Sequence, residues 1–88
     1  MTSNEKPLAE DYLQAVESRL SVATAGPWKS FVEGRNHTSG SSFIRTASSD
    51  IEISGATASD QDFIAHARED VQLLMAEVRR LRGLIKQP

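Results

Sequence analysis

Two histidines, His37 and His66, mark the places in this chain where side-chain chemistry is conceivable. His37 lies in the polar stretch GRNHTSGS, among hydroxyl side chains that a general-base imidazole could activate. No GxSxG elbow or other nucleophile motif surrounds it, and a solvated loop histidine is the reading preferred. His66 stands four residues after Asp62 and four before Asp70, a spacing that puts imidazole and carboxylate on one helical face. Such pairs are common coincidences in helices and no third ligand type accompanies these, so no metal site is expected. GxGxxG and Walker A lysine motifs are both missing, so no cofactor and no catalytic residue is assigned. The chain is expected not to be an enzyme. The sequon Asn36-His37-Thr38 would matter only in a secreted eukaryotic protein.

Recognition remains. Trp28, Arg35, Asn36, His37, Arg45, Thr46 and Ser48 offer a stacking aromatic, two guanidiniums and several hydroxyls. That set suits a non-catalytic site for a nucleotide or another phosphate, because arginine binds phosphate through paired N–H donors. A plainer account is favoured, in which Trp28 anchors the core and the hydroxyls solvate a loop.

The elements that must position these residues follow from periodicity. Leu13, Val16 and Leu20, widened by Tyr12, Ala15 and Ala23, predict an amphipathic helix over 8–23 behind a polar tail of residues 1–7. It must stop by Ala25-Gly26-Pro27, with Gly26 expected as a left-handed cap. Short strands are expected within 28–54, at 28–33, 42–47 and 50–54, with a long polar loop between the first two and a tight turn before the third. Ser59 is the expected cap of a helix over 60–86. The fold class is therefore α+β, in the order α-β-β-β-α, with a three-stranded antiparallel meander and a long C-terminal helix. Residues 8–88 form one domain.

Apolar residues recur along the last helix at 64, 67, 71, 74, 78, 81 and 85, in steps of three and four. As a heptad this puts β-branched residues at position a and mostly Leu at d, the combination that favours parallel two-stranded coiled coils. Glu77 at g and Arg82 at the following e would pair between parallel chains. A chain of 88 residues buries only about 60 to 65 % of its unfolded surface, so its core is thin. The N-terminal half of the seam is expected to pack within the chain. Val71, Leu74, Val78, Leu81 and Ile85 are expected to join copies in a homo-oligomer, most simply a dimer.

The net charge of −2 argues against broad binding to nucleic acid, which depends on many Lys and Arg contacts to phosphate. The cations Arg79, Arg80, Arg82 and Lys86 complement the negative end of the last helix. The absence of cysteine excludes disulfides and thiolate zinc sites and fits a reducing compartment. Neither a signal peptide in MTSNEKPLAEDY nor an apolar run of membrane-spanning length is found, so a cytoplasmic protein is expected.

RLSVATAGPW at 19–28 and DQDFIAHAREDVQLLMAEVRRLR at 60–82 resemble the Ead-like family of small phage and prophage accessory proteins. In that pattern a helix ends in an Ala-Thr-Pro-Gly-Pro-Trp corner, a variable β region follows, and a helix opens with Asp-Ala-x-Phe-Ile-Ala. The matching residues are Thr24, Gly26, Pro27, Trp28, Phe63, Ile64, Ala65, Ala67 and Arg68. Ala25 and Gln72 depart from it, each where related proteins often have Pro; the second departure favours an unbroken helix. The resemblance implies a phage-type accessory protein in the infected or lysogenic cell, acting by binding. It would inhibit a host defence protein or sequester a small nucleotide signal. The rival expectations are a toxin-neutralising immunity protein and a small hydrolase using His37.

Overall fold

The computed structural model describes residues 6–38 and 40–86, so most of the expected tail lies outside the described residues. Helix α1 spans Glu10–Val22, strands β1, β2 and β3 span Lys29–Phe31, Ser42–Arg45 and Asp50–Ile53, and helix α2 spans Ala58–Lys86. The sheet is antiparallel with order β1-β2-β3, so the α-β-β-β-α expectation holds.

The element ends correct several local expectations. Helix α1 ends at its cap Ala23, within the expected 8–23, but Gly26 is not that cap: Ala23 turns to extended backbone while its N–H still reaches Arg19 O at 3.1 Å. Gly26 does not adopt the left-handed conformation, which among the described glycines belongs to Gly34, Gly40 and Gly55. Its bond to Pro27 is cis. What Gly26 provides is room, since a Cβ there would lie 2.7 Å from Glu69 Oε2 on α2. Thr57, not Ser59, caps α2. Its Oγ1 accepts from Asp60 N at 3.0 Å and Asp60 Oδ2 accepts from Thr57 N at 3.2 Å, a reciprocal capping box.

The strands are shorter than their apolar patterns because side chains replace the ladder at their ends. After Phe31, Val32 N donates to Asn36 Oδ1 at 2.7 Å and Glu33 N donates to Ser42 Oγ at 3.1 Å. After Arg45, the Thr46 hydroxyl donates to Ser49 O at 2.7 Å and accepts from the N–H groups of Ser48 and Ser49, closing the expected tight turn.

The inner face of the sheet packs on the first turns of α2, and α1 lies antiparallel along the rest of it. Gln61 joins the layers: the two N–H groups of its Nε2 are shared among three acceptors, Ser30 Oγ, Phe31 O and Phe43 O, at 3.0, 3.1 and 3.0 Å. Among the described residues Leu13, Ile44, Ala65 and Met75 are the buried hydrophobics, and the molecule measures 58 × 33 × 18 Å. The core is as thin as the chain length implies.

Candidate binding surfaces

Gln61, Ala65, Arg68, Met75, Arg79 and Arg82 form the stripe of α2 that meets the rest of the chain, all of them buried or half-buried. The apolar seam runs one residue earlier at nearly every step, which sets it about 100° around the helix from the covered stripe. Its N-terminal half packs within the chain only in part: Ala67 is half-buried, while Ile64 is 41 % and Val71 37 % exposed, at the edge of an open groove against α1. Farther along, Leu74, Leu81 and Ile85 are exposed and Val78 is half-buried.

That groove, of about 350 Å³, lies between α1 and α2, with Val16, Leu20 and Ala23 on one side and Ile64, Ala67 and Val71 on the other. Trp28 also lines it. The ring is half-buried and its Nε1 donates to Thr24 O at 3.1 Å. Arg68 donates to the same carbonyl at 2.9 Å, so the corner between α1 and β1 is fastened to α2.

The residues proposed for an anion site do not converge. Arg35 forms two bonds of 2.9 and 2.8 Å with the carboxylate of Asp62, and its Nε donates to Asn36 Oδ1 at 3.2 Å. This pairing ties the β1–β2 loop to α2 and holds the Asp62 carboxyl down to about 2, with a second contribution from Ser30. Arg45 is likewise paired with Asp50, at 3.0 and 3.4 Å, which raises its pKa. Thr46 is buried in its turn, and Ser48 is exposed there.

Two of the expected residues, Arg45 and His37, approach the same ring, that of Phe43, on the outer face of the sheet. Alternation along the strands points Ser30 and Ile44 toward α2 and Phe31, Phe43 and Arg45 away from it. Phe31 and Phe43 are cross-strand partners whose rings stack 5.0 Å apart at 14°. The Arg45 guanidinium lies 5.2 and 5.3 Å from the two centroids, Lys29 Nζ lies 5.4 Å from Phe31, and the His37 ring lies 5.6 Å from Phe43. Asp50 and Glu52 pair in register with Arg45 and Phe43, so two acids balance the two bases on this face. Sequence reasoning missed the phenylalanines. The alternations Lys29-x-Phe31 and Phe43-x-Arg45 carried the signal, but only the register shows that they oppose one another.

His66 is exposed, and its neighbour Asp62 is engaged by Arg35. Among the described residues no three of His, Asp and Glu lie close enough to hold a metal ion, and no helix is long and apolar enough to cross a membrane. Comparison with protein families, with curated proteins and with solved structures returned no match.

Proposed function

We propose that this chain is a non-enzymatic accessory protein that acts by docking a partner protein on the outer face of its sheet. The observation that carries the reading is the Phe31–Phe43 stack with Arg45 over both rings, inside a rim of Lys29, Asp50 and Glu52. An aromatic centre with an arginine and a polar rim is the usual anatomy of a protein-binding hot spot. The even balance of charge favours a protein over a phosphate, because Arg45 would have to leave Asp50 to bind one. The resemblance to the Ead-like family supports a phage-type role, with a host defence protein as the partner.

A second reading uses the same rings. A nucleobase would stack on Phe31 and Phe43, making the protein a sink for a small nucleotide signal. Both are tested by capture of host proteins on the immobilised chain and by thermal-shift titration with cyclic dinucleotides. A docked host protein is retained by the wild type and lost with Arg45→Ala and with Lys29→Glu. A nucleotide at about 100 times its dissociation constant stabilises the fold by about 2.7 kcal/mol. Failure of both experiments removes the proposal.

A further inference from the structure

The groove and the exposed seam belong to one side of the α1–α2 layer, and from it we infer that the layer is half of a parallel homodimer. The occupant is a second copy of this chain. Val16, Leu20 and Ala23 of α1 line the groove, and Tyr12, 51 % exposed, lies one turn before Val16 on the same side. On α2 the apolar row continues through Leu74, at 64 % exposure, Val78 and Leu81 to Ile85, at 81 %. The apolar side thus follows both helices. Helices of 13 and 29 residues side by side present roughly 600 Å² in projection. A standard interface buries about 800 Å² of accessible surface per partner, which a corrugated face of that projected size supplies.

The side chains select a copy of the same surface. Ile64, Val71, Val78 and Ile85 occupy position a, and Leu74 and Leu81 position d, a self-complementary arrangement for two parallel strands. Charge selects the same direction. One flank of the seam carries Asp70 and Glu77, the latter shared with Arg80 of its own chain; the other, where α1 lies, carries Arg19 and Arg68, with Arg82 turned to Leu8 O and Glu10 of its own chain. A two-fold axis parallel to α2 sets each acidic flank against the partner's basic flank, whereas an antiparallel pairing sets Asp70 and Glu77 against the same acids of the other copy. The parallel arrangement places both sheets at one end of the particle, so two outer faces act together. This inference does not depend on what those faces bind.

The chain has no cysteine, so a single introduced thiol reports alignment directly. Light scattering and sedimentation of the wild type at micromolar concentration are expected to give twice 9.6 kDa. In a parallel dimer Ile85 meets its own copy, and Ile85→Cys oxidises to a covalent dimer at least roughly tenfold faster than Arg80→Cys, which lies off the seam. Leu74→Glu is expected to give a monomer with unchanged helix content. A single-chain mass for the wild type across the concentration range overturns the dimer. A dimer in which Ile85→Cys crosslinks no faster than Arg80→Cys overturns the parallel alignment, and a Leu74→Glu variant that stays dimeric overturns the surface. Should Leu74→Glu fail to fold, the wild-type mass and the Ile85→Cys rate still decide.

Discussion

Arg79 of α2 and Glu17 of α1 are joined by two N–H···O bonds of 2.9 Å each, and the same guanidinium reaches Glu10 at 2.8 Å. With Arg82 donating to Leu8 O, this fork fixes α1 against the α2 stripe that contains Met75. The two helices bury few large apolar side chains between them, so a polar fork carries much of their alignment. Replacing Arg79 with Met keeps an unbranched stem but loses the fork. Amide hydrogen exchange is expected to rise across residues 10–22 before it rises in the sheet. Because Arg79 and Glu17 are 32 % and 40 % exposed, the difference from wild type narrows as the screening length falls from about 10 Å at 0.1 M salt to about 3 Å at 1 M.

Gln61 is only 2 % exposed and serves carbonyls on two strands, so its removal loosens the sheet from α2. Gln61→Leu preserves the approximate volume and strips the donor from Phe31 O and Phe43 O. The expected loss is roughly 1–3 kcal/mol, read as a lower denaturant midpoint at unchanged slope. A neutral outcome would assign the joining role to apolar packing around Ile44 and Ala65.

Acid is expected to loosen the β1–β2 loop through Asp62. Arg35 first, and Ser30 second, hold this carboxyl at about 2, against an ordinary 3.8. A carboxyl depressed in the folded state contributes stability that is fully present above its unfolded pKa and is lost as pH falls through the folded one. The window is therefore about pH 4 down to pH 2. Glu17, lowered chiefly by Arg79, acts in the same direction from the other end of the molecule. Asp62→Asn is expected to flatten the acid limb of a stability–pH profile without altering its neutral plateau in shape. A limb of unchanged steepness would assign acid sensitivity to other carboxylates.

Two glycines separate backbone strain from crowding. Gly55, with φ of 83° and open space where a Cβ would stand, is expected to cost about 1–2 kcal/mol as Ala, through the backbone alone. Gly26→Ala meets only the tip of Glu69, which can swing aside, so its cost stays within about 0.5 kcal/mol. Paired denaturant titrations compare them, and an equal penalty at both positions would show that the α1–β1 corner cannot yield.

The order and type of the elements were legible from the chain itself. Residues 8–23 and 60–86 carry a helical period and Ile51 and Ile53 alternate; Thr57-x-x-Asp60 spells a capping box that the Ser59 reading passes over. These are local regularities, fixed by backbone geometry over a few residues. The grouping of Trp28, Arg35 and Arg45 was not local. Antiparallel register put Arg45 beside Phe43 and opposite Asp50, the loop path carried Arg35 to Asp62, 27 residues away, and the α1–β1 corner turned Trp28 into the groove between the helices. A shift of one residue in register would have moved each strand's set to the other face, and sequence period alone does not choose between those registers. The same holds for α2. Two stripes one residue apart could each have met α1, and tertiary structure chose the one bearing Arg79 and Arg82, whose guanidiniums reach Glu10, Glu17 and Leu8 O, leaving the more apolar stripe exposed.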